Sequence, residues 1–218
     1  MDHLVVFDLD GTLIDSRRDL ADAANALIVE RGGEPLSIDR IAGMVGEGAA
    51  TLVRRALAAA QVDNGDPDGA LQRFLSLYDE RLLAHTRLYD GIPDVLGELS
   101  ARARLAVLTN KPLGATRKIL DGLGIAPAFQ WVRGGDGPQP RKPDPGGLLQ
   151  IIASAGAIRD RTTMVGDSRI DLLTARAAGC AMCVAAYGFG YRDDLPLQGD
   201  ELIAEMPRRI PPAIVTRR

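Results

Sequence analysis

Short apolar runs and amphipathic stretches alternate along most of the chain. The first apolar run, His3–Phe7, is rich in Val and leads into acidic residues, which is typical of a buried strand. Similar runs occupy residues 105–108, 163–165 and 181–186, with a weaker one at residues 131–132. Apolar positions three or four residues apart predict helices between these runs, at residues 92–101, 113–123, 147–155 and 170–178.

This alternation predicts an α/β fold with a Rossmann-like core, in which helices cover both faces of a parallel sheet. Residues 16–85 depart from it, because they show helical periodicity and no convincing strand. Three helices are predicted there, at residues 21–30, 49–60 and 70–84. An insert at this point predicts a small all-helical cap domain over the carboxyl edge of the sheet, where open α/β sheets bind ligands. We therefore expect a catalytic core of residues 1–15 and 88–218 and a cap of residues 16–87.

Composition and charge exclude several classes of protein. The chain has 218 residues, of which 46% are hydrophobic and 25% charged, as in a globular protein with a proper core. Its net charge is -3 and it has no basic block, so we expect no nucleic-acid partner. We also expect no membrane span, because no apolar run is long enough, and no signal peptide, because Asp2 and His3 at the N-terminus lead into a short apolar run that ends in acids. Cys180 and Cys183 form a single C-x-x-C without a second pair, which favours buried free thiols over a metal or redox site. Free thiols fit a reducing cytoplasm.

Acidic residues follow the first predicted strand directly. Asp8 and Asp10 are two positions apart, so their side chains point the same way in an extended chain. Gly11 allows a sharp turn after them, and the amides that follow can face an anion. Two adjacent carboxylates repel each other unless a cation lies between them, and a hard cation such as Mg²⁺ suits that position. A surface turn, the start of a calcium loop and chance are the competing explanations for this motif alone.

A second acidic cluster ends another predicted strand. Asp167 follows the apolar run at residues 163–165, and Asp171 lies near the N-terminus of the next helix. Asp171 could serve only as a stabiliser of that first helical turn, or as a metal ligand. Carboxyl ends of parallel strands meet at one edge of a sheet, so Asp8 and Asp167 are expected to converge there.

Two further segments offer groups that a phosphate requires. Thr109 and Asn110 end the predicted strand at residues 105–108 and supply a hydroxyl, an amide and backbone N–H groups. Lys142, one of only three lysines, lies in a loop stiffened by the following proline. Taken singly, each segment is more typical of an ordinary turn or a solvated surface loop.

Together and in this order, these segments resemble the haloacid dehalogenase superfamily of phosphohydrolases. The matching motifs are D-L-D-G-T at residues 8–12, L-T-N at 108–110, R-K-P at 141–143 and G-D-S-R-I-D at 166–171. Within that superfamily, the segment at residues 44–57 is similar to phosphoglycolate phosphatases, with a V-G-x-G turn that leads into a helix bearing Arg55. One departure is Asp90, where relatives usually have proline; we expect it to alter only the hinge after the cap.

The resemblance implies a reaction and a set of roles. Asp8 would be the nucleophile that forms a phosphoaspartate, and Asp10 the general acid and base. Mg²⁺ would be the cofactor, and the substrate a small phosphorylated metabolite, most closely 2-phosphoglycolate. The implied metal ligands are Asp8, Asp10 through its backbone carbonyl, Asp167, and Asp171 directly or through water. The implied substrate contacts are Thr109, Asn110 and Lys142 on the phosphoryl group, and Gly46, Gly48 and Arg55 at its other end.

Several alternatives stay open or are disfavoured by particular residues. Asp10 argues against carbon–halogen hydrolysis, and the absence of lysine from the predicted cap argues against a phosphonate hydrolase. Another small ester, a sugar phosphate or a pyrophosphate remains possible as substrate, as does a sugar-phosphate mutase. A receiver domain would place its acidic pair before the nucleophile's strand, and a phosphate-binding module without turnover would be expected to lack one of the motif residues. The sequence leaves the choice between monomer and homodimer open.

Overall fold

A six-stranded parallel sheet forms the centre of the molecule. The computed structural model describes residues 3–63 and 65–215. Its strands are β1 His3–Phe7, β4 Ala103–Leu108, β5 Trp131–Arg133, β6 Thr162–Gly166, β7 Ala181–Ala185 and β8 Leu202–Ala204. They lie in the order β5-β4-β1-β6-β7-β8, and every neighbouring pair is parallel. The predicted α/β fold is therefore confirmed.

Helices cover both faces of this sheet. Their bounds are α5 Ile92–Ser100, α6 Leu113–Gly122, α7 Gly146–Ala155, α8 Arg169–Ala178 and α9 Ile210–Val215. Val5 and Phe7 of β1 pack into the cluster formed with α5, α6 and α9, whereas Leu4 and Val6 pack against α7 and α8. Each of these side chains is fully buried, and burial of one such group stabilises the fold by about 1.5–3 kcal/mol.

Strand register brings the functional segments to one edge. β1 pairs with β4 on one side and with β6 on the other, with Phe7 opposite Val107 and Val165. Asp8, Thr109 and Asp167 therefore follow three neighbouring strands at the carboxyl edge of the sheet.

A helical insert follows β1. Strands β2 (Ile14–Asp15) and β3 (Arg87–Leu88) pair antiparallel as a short ribbon. Between them, the described residues form helices only: α1 Arg17–Glu30, α2 Ile38–Ala42, α3 Ala49–Ala59 and α4 Pro67–Asp79. We call residues 16–86 the helical insert. The predicted domain boundaries fall at the ribbon, but the division into core and cap remains a prediction, and residues 1, 2, 64 and 216–218 within those ranges lie outside the described residues.

The two ends of the insert are tied together by Asp19. This buried carboxylate in α1 accepts hydrogen bonds from the backbone N–H of His85 at 3.0 Å and of Thr86 at 2.8 Å. The Thr86 hydroxyl donates a further bond at 2.7 Å. These hydrogen bonds therefore hold the first helix of the insert to the last residues of the insert.

Within the described residues, none of the helices combines the length and the apolar character needed to cross a bilayer.

Candidate active site

Asp8 lies at the centre of a buried cluster of charged groups. Its backbone N–H donates to the Val165 carbonyl at 2.8 Å, which continues the pairing of β1 with β6 beyond the strand. Its carboxylate lies 2.7 Å from Lys142 Nζ, and the same nitrogen lies 2.6 Å from Asp171 Oδ1. Burial opposes the charge on Lys142, but Asp171 and Asp8 overcome it and raise the pKa of this lysine. Lys142 thus stays charged between two carboxylates.

Asp171 has two tasks visible in the structure. One oxygen binds Lys142, and the other accepts hydrogen bonds from the backbone N–H of Ser168 at 3.1 Å and from its hydroxyl at 2.6 Å. Ser168 is the N-cap of α8, so the pair forms a capping box. The predicted stabilising role of Asp171 in the first turn of the helix is therefore present, together with a contact to Lys142.

Asp167 has few hydrogen-bond donors among the described residues. Gly190 donates its backbone N–H to Asp167 Oδ2 at 2.7 Å. Gly11 lies so close that a Cβ there would come within 1.8 Å of the same oxygen, so the D-x-D-G turn requires glycine. Asp167 has no ion pair with a basic residue among the described residues.

The arrangement of the carboxylates fits a divalent metal ion. One oxygen each of Asp8, Asp167 and Asp171 lie within 4.8 Å of one another, and all three residues are buried. Burial raises the pKa of Asp8 to about 7, although Lys142 opposes the shift. Burial and the charges of Asp171 and Asp8 raise the pKa of Asp167 well above its ordinary value. Three buried carboxylates with a single lysine lack compensating positive charge, and oxygen ligands of this kind suit a hard cation.

Asp10 stands apart from that cluster of carboxylates. One of its oxygens accepts a hydrogen bond from the Ser16 hydroxyl at 2.5 Å, and the other lies 3.0 Å from Lys111 Nζ. Its carboxylate is not part of the group of acids that could share a metal ion. The side chain is therefore free of the metal position and held by two donors, as a group that exchanges protons requires.

Thr109 and Asn110 lie beside the acids, but Asn110 has a different contact pattern from the predicted one. Its amide nitrogen donates to the carbonyls of Gly46 at 2.8 Å and Lys142 at 2.9 Å, and its amide oxygen accepts from the Lys142 N–H. The side chain of Asn110 therefore joins the Lys142 loop to the helical insert, and its contact with a phosphoryl group stays a prediction. Thr109 is buried at the same edge of the sheet.

A cavity of about 300 Å³ opens in front of these groups. Residues of the sheet edge line one side: Asp8, Asp10, Thr109, Asn110, Lys111 and Asp167. We call this set the polar wall. The insert supplies a facing apolar wall, which consists of Leu20, Val45, Leu52, Phe74, Leu75 and Leu82. A ligand in this cavity would contact charge on one side and hydrocarbon on the other.

Gly46 and Gly48 line the cavity at the edge of the insert. Gly48 has a φ of 89°, and a Cβ there would lie 3.0 Å from Arg141 Nη1, so the turn disfavours any other residue. Arg55 does not line the cavity, and its exposed guanidinium pairs with Glu47 at 2.5 Å. Its contact with substrate stays a prediction.

Several residues at the site were not among the sequence-based candidates. They are Ser16, Tyr78, Lys111 and Gly190. Lys111 had a usable signal, because it is one of three lysines and follows Thr109 and Asn110 directly. Ser16, Tyr78 and Gly190 carry no local pattern that separates them from capping, core or loop residues.

An acid directly after the central strand, a lysine between buried carboxylates and a position for a divalent cation define the class of metal-dependent hydrolases with an acidic nucleophile. A family profile described as haloacid dehalogenase-like hydrolase matches residues 5–185. The chain belongs to that family, and it is an enzyme.

Individual relatives agree over nearly the whole chain. Phosphoglycolate phosphatase of Rhodospirillum rubrum is 44% identical over 196 residues, which cover 87% of this chain and 81% of the relative. The protein of the same name from Pseudomonas putida is 37% identical over 96% of this chain and 79% of its own length. A crystal structure described as a predicted phosphoglycolate phosphatase from Haemophilus somnus has a TM-score of 0.90 at 29% identity, with 96% of both chains covered.

Proposed function

We propose that this protein is a magnesium-dependent phosphatase that hydrolyses 2-phosphoglycolate to glycolate and phosphate through a phosphoaspartate on Asp8. The observation that supports the proposal is the ion pair between Asp8 and Lys142 at 2.7 Å, directly after the end of β1. One oxygen of Asp8 also lies within 4.8 Å of an oxygen of Asp167. The substrate is taken from the names of the relatives at 44% and 37% identity.

The proposed metal ligands are the carboxylates of Asp8 and Asp167 and the backbone carbonyl of Asp10, with Asp171 as the third acid of the group. When bound, Mg²⁺ would neutralise the anionic charge that the substrate phosphate adds to these acids. Because Asp171 already binds Lys142 and Ser168, its contribution is chiefly to orient those groups.

In the first chemical step, a carboxylate oxygen of Asp8 attacks phosphorus and the bond from phosphorus to the ester oxygen breaks. Asp10 gives its proton to the departing oxygen, which leaves as an alcohol. Lys142 stabilises the negative charge that develops on the phosphoryl oxygens, together with Thr109. The product of this step is an aspartyl phosphate.

In the second step, water attacks the phosphorus of that aspartyl phosphate. Asp10 removes the proton from the water, so the same carboxylate serves as acid and then as base. The bond between phosphorus and the Asp8 oxygen breaks, and inorganic phosphate and free Asp8 are released. Ser16 and Lys111 keep Asp10 in place through both steps.

We further propose that the helical insert is a cap domain that closes over the substrate. The bond from Asn110 to the Gly46 carbonyl links the insert to the sheet edge, which supports this role. Closure would exclude bulk water from the phosphoaspartate and admit one water for its hydrolysis. The cytoplasmic location expected from the composition also stays a proposal, consistent with free thiols at Cys180 and Cys183.

A second candidate is a phosphatase for another small ester with a larger organic group. The apolar wall favours it, because glycolate offers a single methylene to the six hydrophobic residues that form this wall. The same family, metal and mechanism apply in that case, and only the substrate differs.

A substrate screen tests the proposal. With Mg²⁺ present, kcat/KM is measured for 2-phosphoglycolate, sugar phosphates, pyrophosphate and p-nitrophenyl phosphate, on the wild type and on Asp8→Asn. We expect 2-phosphoglycolate to rank first, EDTA to abolish turnover, and Asp8→Asn to lose at least about 10⁴-fold in kcat. Asp22→Asn, an exposed acid in α1, is the matched control and should match the wild type.

The outcomes separate the parts of the proposal. Turnover that survives EDTA or Asp8→Asn would reject the mechanism. A low rank for 2-phosphoglycolate beside another ester would leave the mechanism standing and replace the substrate.

A further inference from the structure

Lys111 is a buried cation to which the proposed chemistry gives only the task of holding Asp10. Its side chain is 3% exposed, and it follows the Thr109–Asn110 pair at the carboxyl edge of the sheet. Among the described residues that line the cavity, it is the only one with a positive charge. Lys142 already pairs with the nucleophile, so a second lysine in this place needs a separate explanation.

The contacts of Lys111 join the polar wall to the helical insert. Its Nζ lies 3.0 Å from Asp10 Oδ2 and donates a hydrogen bond to the Tyr78 hydroxyl at 2.7 Å. Tyr78 belongs to α4, and its ring stacks on Phe74 with 5.9 Å between the centroids. Lys111 therefore contacts the group that protonates the leaving oxygen and a residue of the insert at the same time.

The contacts of both side chains leave donors for a further acceptor. An ammonium group has three N–H donors, and the described contacts of Lys111 with Asp10 and Tyr78 use two of them. Burial raises the pKa of Tyr78 to about 12, so its hydroxyl stays neutral. A tyrosine hydroxyl that accepts a hydrogen bond from a lysine retains its own proton for a second acceptor. The pair thus offers an ammonium group and a hydroxyl donor side by side.

The chemistry of Asp10 fixes which part of a substrate these donors would meet. The leaving oxygen must lie against Asp10 to receive its proton, and in 2-phosphoglycolate a single methylene joins that oxygen to the carboxylate. The carboxylate therefore falls within a short distance of Asp10, on the side of the leaving group. Apart from Tyr78, the insert offers no side-chain donor to the cavity among its described residues, and Asp79 is an acid already paired with Lys118 at 2.6 Å.

We propose that Lys111 and Tyr78 form the binding site for the carboxylate of the substrate's leaving group, and so select acidic phosphate esters over neutral ones. This inference rests on the proposed function, because it takes the reaction and the role of Asp10 from it. Arg55 does not line the cavity and is paired with Glu47. Because Tyr78 comes from the insert, the site is complete only when the insert packs on the sheet edge.

The competing explanation is that Lys111 only holds Asp10 in position. Two substrates that differ in the carboxylate alone separate the two roles: 2-phosphoglycolate and ethylene glycol monophosphate, in which a neutral hydroxymethyl group replaces the carboxylate. Loss of a positioning contact lowers kcat/KM for both substrates equally. Loss of a carboxylate site lowers it mainly for 2-phosphoglycolate, so the ratio of the two values is the quantity to measure.

The variants are Lys111→Met, which keeps the length of the side chain, and Tyr78→Phe, which keeps the stacked ring. We expect the ratio for 2-phosphoglycolate over ethylene glycol monophosphate to fall about 100-fold in Lys111→Met and about 10-fold in Tyr78→Phe, as for loss of charged hydrogen bonds. Lys111→Arg should restore part of the ratio. Arg208→Met, which removes an exposed cation that does not line the cavity, is the matched control and should leave the ratio within about twofold.

A ratio that stays constant while both kcat/KM values fall would overturn the inference and leave the proposed function intact. If Lys111→Met does not fold, the ratios in Tyr78→Phe and Lys111→Arg decide in the same way. If the wild type itself shows no preference for 2-phosphoglycolate over the neutral ester, the proposed substrate and this inference both fail. Hydrolysis of p-nitrophenyl phosphate by the wild type shows separately whether the phosphatase mechanism stands.

Discussion

The two walls of the cavity differ in almost every physical respect. On the polar wall, Asp8 and Asp167 are buried acids whose pKa values are raised by that burial, and they lie close enough together to share one cation. The facing apolar wall consists of hydrocarbon side chains from the insert. Lys111 of the polar wall donates a hydrogen bond to the hydroxyl of Tyr78, which belongs to the insert and also lines the cavity.

This difference separates two tasks. Carboxylates with raised pKa values store unfavourable electrostatic energy in the absence of a cation, which suits groups that bind a metal ion and a phosphate. The apolar wall can exclude water and set the size of the substrate, but it has no group that can take part in bond cleavage. Chemistry should therefore be lost by changes on the polar wall, while changes on the insert should affect selectivity or stability.

After Asp8→Asn, the largest effect on kcat is expected at Lys142, on the polar side of this comparison. Among the described residues, Lys142 is the one lysine paired with Asp8, so Lys142→Met leaves Asp8 and Asp171 without their shared partner. We expect kcat for the preferred substrate to fall by about 10³-fold, the upper range for loss of one charge-stabilising donor. Steady-state kinetics and a thermal melt on the same preparation check this result. A loss below tenfold would show that the charge of Lys142 contributes little to the reaction.

The next prediction concerns the metal and its dependence on pH. The raised pKa values of Asp8, about 7, and of Asp167 mean that the metal-free folded protein holds protons that the unfolded chain releases. Its stability therefore falls as pH rises above the ordinary carboxyl range and through 7, and a divalent ion must displace these protons to bind. Mg²⁺ at about 100 times its Kd should raise the free energy of unfolding by about 2.7 kcal/mol at pH 8. The gain at pH 5.5 should be clearly smaller.

Thermal melts with and without Mg²⁺ at both pH values measure this gain. Asp167→Asn should lose most of it at pH 8, and Asp22→Asn should retain it. Equal gains at pH 5.5 and pH 8 would contradict the assignment of these carboxylates as the ligands.

A smaller effect is expected where the insert joins the sheet. Asp19→Asn leaves the N–H groups of His85 and Thr86 without a carboxylate acceptor. We expect a loss of about 2 kcal/mol of unfolding free energy, as for hydrogen bonds to a buried charged group. A denaturant melt measures this loss, and kcat for substrate bound to the folded fraction should change little. An equally large loss in Asp22→Asn would show that the effect does not depend on the tie at Asp19.

The smallest effect is expected at Arg55, an exposed residue of the insert. Arg55→Ala removes an exposed ion pair with Glu47, and such pairs contribute less than about 1 kcal/mol. Both the stability and kcat/KM for 2-phosphoglycolate should stay close to those of the wild type. A tenfold loss of kcat/KM would instead indicate that Arg55 contacts the substrate, and would argue against Lys111 as the group that binds the substrate carboxylate.

The strands that end at the site could be predicted from sequence because each is a short apolar run with an acid or hydroxyl directly after it. Asp8 and Asp167 lie together for that reason, since the carboxyl ends of parallel strands share an edge. Strand β8 and helix α9 were not predicted, because β8 has only three residues and α9 contains two prolines in its first turn. Elements of that length lack enough residues to show a period.

Contacts between the insert and the sheet edge could not be predicted. Tyr78 has the helical spacing of an ordinary core residue, and Lys111 lies 33 residues further along the chain, so no local pattern joins them. Arg55 was expected at the substrate because the sequence does not reveal that Glu47 lies close enough to bind it. Asn110 likewise has the residue type of a phosphate contact, but its side chain is occupied by backbone groups that only the folded chain brings near.

The phosphoaspartate itself offers the most direct test of the account. Wild-type protein that is turning over substrate with Mg²⁺ is quenched in acid, reduced with borohydride, digested and analysed by mass spectrometry. Reduction of an aspartyl phosphate gives homoserine, and we expect this product at Asp8 and nowhere else, in amounts that follow the steady-state turnover. Full activity without any modification of Asp8, or with homoserine at a different aspartate, would contradict the account.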